Sequence, residues 1–445
     1  MRKFAVLGLL ALAACAPGTS SRSPSADSVF TQAVTLLQGR YYGFELPKLP
    51  TVIASGKAAL ERACANLSPC PPEAAQQTID QMLDQLGDPH SFLETPAQYA
   101  ESQRIRSGQG GSFPVLGIRS IYRPSSNSRL IIESMPGLVA EAAGLGRGDL
   151  IIGLNGQALP KGDSESNLAL REQVRSGREF TLNIRRAGKE RDVKVTGRLA
   201  TVPSLPSLKT WAGVPSSVAI LRIPDYLPPQ TADIAHKLVN QAIKNGAKSI
   251  VLDLRSNAGG RATECISVAG IFMGRTGVTF ATKDSQEQYI YESGRVTSST
   301  GIRVGVSESA SFAGNVAVLV DKQSASCAEV TPALLQSAKR STIIGEPTYG
   351  ILNTGTLSFP LQDGSGLTIT TMRTLDLDRN PLASRVTPDI AQPEDLDALE
   401  NSARDIMLER AVRVVQGLDT TAPNRGLHQN GLPRVPLVQW QDNLN

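Results

Sequence analysis

The chain has 445 residues, more than a single core ordinarily serves, so two or three domains are expected. Hydrophobic residues make up 40% and charged residues 19%, enough apolar material for ordinary globular cores. The 45 basic and 41 acidic groups leave a net charge of only +4, and there is no basic run or aromatic ladder on which bases could stack, so a nucleic-acid partner is excluded.

The first fifteen residues, "MRKFAVLGLLALAAC", carry two basic residues, then an apolar run from Phe4 to Ala14. That run is too short to span a bilayer and has the build of an export signal. "LAAC", Leu12 to Cys15, resembles the lipobox of bacterial lipoproteins. The resemblance implies a signal peptide over 1–15, a lipid on Cys15, a tether over 16–25 and anchorage to a bacterial membrane of the cell envelope. A plain signal peptide cut nearby is the alternative. Export makes disulfides permissible. Cys64 and Cys70 bracket "ANLSP" in one short loop and are expected to bridge locally. No histidine stands at ligand spacing from them, which disfavours zinc. Cys265 and Cys327 fall in apolar helical stretches and read as buried thiols.

Residues 26–106 read as a helical domain. "AAQQTIDQMLDQLG" places Ile79, Met82, Leu83 and Leu86 on one face, with Gly87 as C-cap. "SGQGGS" is a linker. Over 110–200 the pattern changes to short strands and turns: "FPVLGI", "RLIIESM", "GLVAEAAGLGRGDLIIGLNG" and "FTLNIRRAGKERDVKVTG". Their order resembles a PDZ domain. The resemblance makes Leu116, Gly117 and Ile118 a carboxylate-binding loop, whose backbone N–H groups would face a peptide C-terminus beside a free strand edge. Arg147-Gly148-Asp149, although it spells an adhesion tripeptide, reads as a plain turn.

From 205 to 417 strands alternate with helices, the α/β pattern. "VAILRI", "SIVLDLR" and "VAVLVD" are strands. "TADIAHKLVNQAIKNG" is an amphipathic helix with Ile234, Leu238, Ala242 and Ile243 inward and His236 on the wetter side. "LSFPLQ" and "LTITTMRT" form a hairpin across Asp363 to Gly366. One last helix covers about Leu396 to Gln416, and 418–445 reads as a disordered tail.

Two loops stand at strand ends, where α/β sheets place their sites. "DLRSNAGG", Asp253 to Gly260, exposes backbone N–H groups suited to a developing oxyanion, or is simply a tight turn. "DKQSASCAEV" puts Ser326 at a helix N-terminus, as an N-cap or as a nucleophile, with the Cys327 N–H beside it and Glu329 at the positive end of the helix dipole. Pro332 is unexpected inside that helix and should kink it or delay its first turns.

Taken together, "DLRSNAGG", "SASCAE" and "IIGEPTYG" resemble, in their order, the C-terminal-processing (tail-specific) serine proteases. The resemblance runs from the helical segment to the final helix. It implies a ClpP/crotonase-like α/β core with an inserted, mainly β PDZ domain and an N-terminal helical domain. It also implies Ser326 as nucleophile and an oxyanion hole made by Gly259 or Gly260 with Cys327. The departure lies at the base: familiar members carry a lysine where this chain has Ile351. Lys322 and Lys339 stand elsewhere in the pattern and do not replace it.

A branch of similar proteins, including tricorn and the nisin-resistance proteins, uses histidine. His90 in "LGDPHSF" matches that position, and an imidazole of ordinary pKa is largely free at neutral pH. The rival role is a loop histidine packing the helical segment on the core. Asp88 and Ser91 are adjacent, but no third catalytic member is identifiable from sequence. The expectation is an exported serine endopeptidase acting on unfolded or C-terminally recognised polypeptides, with no metal or cofactor. Its activity would switch on near neutrality, nudged upward by the preceding helix end. The alternative is an inactive peptide-binding adaptor that has lost its base.

Overall fold

The computed structural model describes residues 24–107, 112–135, 137–201 and 205–419. The proposed signal and lipidation site at Cys15, most of the tether, the middle of the linker and the tail from residue 420 lie outside these residues. Among the described residues, no helix is long and apolar enough to cross a membrane.

The first helix, Ala26–Arg40, begins where the Ser25 hydroxyl accepts the Ser28 N–H, and it buries Val29, Phe30, Ala33 and Leu37. Helix Leu49–Cys64 follows, and the Cys64–Cys70 disulfide closes the loop after it. Helix Pro72–Leu86 buries Ile79, Met82, Leu83 and Leu86 as its periodicity predicts, and stops at Gly87 in the left-handed region, φ 73°. These helices share one apolar cluster with Leu361, Leu367 and Ile369 of the later hairpin. Strand Phe92–Glu94 pairs with Gly366–Leu375 in the same hairpin, so the helical segment contributes a strand to the core. His90 therefore lies at the seam between them.

Residues 112–201 form a β-rich unit. Strands Ile118–Arg123, Ser128–Ser134, Leu150–Leu154, Glu179–Arg186 and Lys189–Thr196 neighbour one another in that order, with helix Asp163–Arg175 against them. Ile118–Arg123 is one of the two edge strands, Lys189–Thr196 the other. Strands Ser112–Val115 and Arg198–Thr201 pair antiparallel, so chain entry and exit stand side by side.

The remaining residues build two sheets. One runs in the order Ser207–Lys209, Val218–Arg222, Ser249–Asp253, Asn315–Val320, Thr342–Gly345, Ile390–Ala391, and is parallel from the second strand onward. The other is antiparallel and contains Arg275–Ala281, Gln286–Glu292 and the hairpin strands Thr354–Pro360 and Gly366–Leu375. Helix Ala262–Met273 lies between these sheets and is buried nearly all round. That explains why its sequence is apolar rather than amphipathic.

The structure corrects several local expectations. Helix Thr231–Lys244 buries Ala232, Ala235, His236, Val239 and Ala242, while Ile243 is exposed. The small alanines allow close packing, and the face turns so that His236 points inward. Its Nδ1 accepts the Ala310 N–H and its Nε2 faces Ser267 O. Burial lowers its pKa to about 4. Cys265 and Cys327 are buried, but as a disulfide rather than free thiols, with Cα atoms 5.6 Å apart. Pro332 sits within helix Cys327–Ser337, which runs continuously past it.

The last helix is two, Leu396–Ser402 and Ile406–Val415, divided at Ala403 with φ 53°. The break frees Asp405 to cap the second helix through the Leu408 N–H. Asp405 also accepts from Arg255 at 2.9 Å and Arg147 at 2.8 Å. Arg147 thus does more than form a turn: it ties the β-rich unit to the C-terminal helices. Arg255 also grips Asp253 at 2.7 Å, closing a buried charge cluster beneath the "DLRSNAGG" loop.

Removing one partner of a buried pair leaves an uncompensated charge. Asp405→Ala should cost about 3–5 kcal/mol of unfolding free energy, as measured by chemical denaturation. His236 adds a pH dependence. Its folded pKa is depressed below the unfolded value, so its contribution is complete above about pH 6.5 and is lost as pH falls toward 4. A shift of that size is worth roughly 3 kcal/mol between the two limits. Denaturation at pH 7 and pH 4.5 should show a flatter pH slope in His236→Gln than in the parent.

Candidate active site

Strands Ser249–Asp253 and Asn315–Val320 are parallel neighbours, so the loops leaving their carboxyl ends meet. The side chain of Asp321 binds them together. Its carboxylate accepts from the Ser256 N–H at 2.9 Å, the Ser256 hydroxyl at 3.0 Å and the Ser324 N–H at 2.9 Å. Asn257, fully buried, adds more links. Its carbonyl accepts the Ala325 N–H, its Nδ2 donates to Ile223 O, and its Oδ1 accepts the Gly259 N–H at 2.8 Å.

Ser326 stands at the head of helix Cys327–Ser337 with φ 53° and ψ −116°. A non-glycine residue in that region is strained and persists only where its surroundings hold it. Here the holder is Glu329, one turn on. Its Oε2 accepts the Ser326 N–H at 2.8 Å and the Ile351 N–H at 3.0 Å. Its Oε1 accepts the Gly350 N–H at 2.9 Å and the Thr348 hydroxyl at 2.6 Å. Glu329 is fully buried, and burial pushes its pKa upward against these four donors. Sequence reasoning saw Glu329 as a dipole partner and missed its larger role, because Thr348, Gly350 and Ile351 reach it only through tertiary folding.

The glycine loop reaches the serine directly. A Cβ on Gly259 would lie 2.8 Å from Ser326 Cβ and 3.0 Å from Cys327 N, and one on Gly260 2.2 Å from Tyr226 C. Both glycines have positive φ, 99° and 141°, so no side chain is tolerated at either. The Gly259 N–H is already given to Asn257. Among the described residues the N–H groups of Gly260 and Cys327 have no acceptor, and these are the two donors left to stabilise an oxyanion at Ser326.

Ile351 is buried and cannot carry a proton, while Lys322 and Lys339 are exposed. His90 is buried at 7% exposure. Its Nδ1 lies 2.8 Å from Thr354 Oγ1, and the Thr354 hydroxyl in turn donates to Ile351 O at 3.3 Å. With its own proton given to the carbonyl, Thr354 accepts from Nδ1–H. The lone pair is then on Nε2. Asp88 does not orient the ring: its carboxylate takes the His90 backbone N–H at 3.1 Å and the Ser91 hydroxyl at 2.7 Å. Ser91 Oγ accepts the Thr370 N–H at 3.0 Å, fixing this loop to the hairpin.

Among the described residues no hydrogen bond joins the His90 ring to Ser326; the two are linked through Thr354, Ile351 and Glu329. Desolvation lowers the His90 pKa to about 4, outweighing the nearby Asp88 carboxylate. The upward shift expected from the helix end is overturned, because the burial that folding creates is the larger effect.

Leu116, Gly117 and Ile118 lead into an edge strand of the β-rich unit. Gly117 has φ 79°, and a Cβ there would meet Leu138 Cβ at 2.4 Å. Arg119, next in that strand, donates to Ser256 O at 3.2 Å, so the β-rich unit touches the glycine loop.

Comparison with known proteins places residues 217–392 in peptidase family S41. A carboxyl-terminal-processing protease of Picosynechococcus is 28% identical over 334 residues, covering 73% of this chain and 74% of the relative. A Staphylococcus aureus protein named as a CtpA-like serine protease is 27% identical over 71% of this chain, which spans 59% of that relative's length. An S41 protease from Bacteroides fragilis shares the fold at a TM-score of 0.58, with 15% identity, over 87% of this chain and 97% of that one. The segment that carries Ser326 and the glycine loop, residues 217–392, is the part of the chain that matches the peptidase family S41.

Proposed function

We propose that the protein is a serine endopeptidase that cuts unfolded or C-terminally recognised polypeptides. Ser326 attacks the scissile carbonyl, and His90 Nε2 removes its proton and returns it to the leaving amine. The N–H groups of Gly260 and Cys327 hold the tetrahedral oxyanion. The observation carrying this reading is the strained Ser326, clamped by Glu329 directly against the glycine loop. The names of the sequence relatives point the same way. The direct bond from His90 to Ser326 is assigned to the substrate complex, since catalytic contacts are often loose in free enzymes. Thr354 acts as the orienting group by fixing the His90 tautomer.

The β-rich unit is read as a PDZ domain whose loop at Leu116 to Ile118 receives a peptide C-terminus, the peptide adding to the free edge of Ile118–Arg123. Residues 1–15 are read as a lipoprotein signal with Cys15 as the anchored residue, placing the mature protein on a membrane of the cell envelope. An adaptor without catalysis is not favoured, because nothing in mere peptide binding requires the strain at Ser326 or the bare donors beside it.

Purified mature protein should degrade an unfolded polypeptide. Ser326→Ala should reduce kcat/KM by a factor of about 10^3 or more, and His90→Ala should approach that loss, because the two act as a unit. An equally active His90→Ala would remove the histidine from the mechanism.

The pH profile is the second measurement. Because His90 is depressed to about 4, the acid limb of kcat/KM should be half-maximal near pH 4, and activity should be flat through neutrality. Half-maximal activity near pH 6.5 would be the limb of an ordinary, solvated imidazole and would overturn the depressed His90 rather than a histidine base; a limb unchanged in His90→Gln would show that a different group is the base.

A further inference from the structure

Cys265 and Cys327 join two parts of the molecule that contribute to one chemical site. Cys327 is the residue after Ser326, and its backbone N–H is one oxyanion donor. Cys265 lies in the first turn of helix Ala262–Met273, which begins two residues after Gly260, the other donor, with Arg261 between them as N-cap. The two cysteines are 62 positions apart in sequence, so only tertiary contacts fix the distance between the donors. Asp321 and Asn257 link the two loops by hydrogen bonds, and the disulfide adds a covalent tie behind them.

The contact it reinforces is specific. Thr331, one turn beyond Cys327, donates to Cys265 O at 3.1 Å, and its hydroxyl lies 3.0 Å from Tyr226 Oη. The backbone of Tyr226 in turn brackets the glycine pair, donating to Gly259 O at 2.9 Å and accepting from the Arg261 N–H at 3.0 Å. Both cysteines are almost fully buried, 0% and 4% exposed, so the bond lies beneath the site and does not face the substrate.

We propose that the Cys265–Cys327 disulfide is a positioning element of the oxyanion hole, holding the Cys327 and Gly260 N–H groups at the separation that transition-state stabilisation requires. The proposal rests on the peptidase reading and extends it to a redox dependence. Reduction by a dithiol proceeds by thiolate attack on one sulfur, giving a mixed disulfide and expelling the other cysteine as thiolate. The second thiol of the reductant then attacks the mixed disulfide, closes the reductant's own disulfide and releases the remaining cysteine, leaving both protein cysteines reduced. Two electrons pass from reductant to protein, and the tie between the donors is lost.

The test compares the parent and Cys265→Ala, which leaves Ser326 and Cys327 in place. The readouts are kcat and KM on an unfolded polypeptide and the rate at which a fluorophosphonate modifies Ser326. The variant should lose about 10- to 100-fold in kcat and in labelling rate with KM within about twofold, as expected when one oxyanion donor is misplaced. Dithiothreitol should lower the parent to the same level and leave the variant unchanged. The variant retains Cys64–Cys70, so it controls for reduction of that pair. If Cys265→Ala does not fold, the reduced parent, with its fold checked by circular dichroism, provides the same comparison. A folded variant or reduced parent with undiminished kcat would overturn the proposal. So would alkylation of both cysteines in unreduced protein, read by intact mass. If the parent neither cleaves nor labels at Ser326, the peptidase reading fails and the positioning role fails with it. An active parent with an indifferent variant removes the disulfide role alone.

Discussion

The site depends on one buried carboxylate. Glu329 holds the Ser326 N–H and, with its remaining lone pairs, the segment Thr348 to Ile351. Four donors converge on it and offset part of the desolvation that full burial imposes on the carboxylate. The same bonds keep Ser326 in a backbone conformation it would not otherwise occupy. Strain and its restraint are therefore supplied by residues three positions and about one strand apart.

A second buried constraint lies one layer beneath. Arg255 spans Asp253 and Asp405, while Arg147 from the β-rich unit meets Asp405 from the other side. The "DLR" of the glycine loop is thus an anchor rather than chemistry. It fixes the loop's start, and Asn257 and Asp321 fix its continuation. The glycines can then be left without side chains and the Gly260 N–H without an acceptor, since the loop's shape is determined by its neighbours. Arg119 extends these contacts to the β-rich unit, so that unit and the glycine loop share a physical connection.

Much of this could be read from residue order. Periodicity located helix Pro72–Leu86 and its Gly87 stop, turn chemistry located the hairpin at Asp363 to Gly366, and loop proximity paired Cys64 with Cys70. The serine and glycine loops were legible as candidates because each follows a buried strand. The errors share a cause. His236 was placed on a wet face and Cys265 and Cys327 as free thiols because helical periodicity describes one face against solvent. These helices pack against neighbours on several sides. Thr354 was invisible for a related reason: a threonine in a strand carries no signal until the residue opposite it is known.

Sequence by itself determined the local chemistry: which residues can attack, which cannot accept a proton, and which glycines permit close backbone approach. Those properties belong to single side chains and short spacings. Only the tertiary structure decided the downward push of burial on the His90 pKa, the contact of its ring with Thr354, the grip of Glu329 on Ser326 and the Cys265–Cys327 pairing. Each of these depends on desolvation or on contact between segments distant along the chain, and such quantities arise only once the chain has folded.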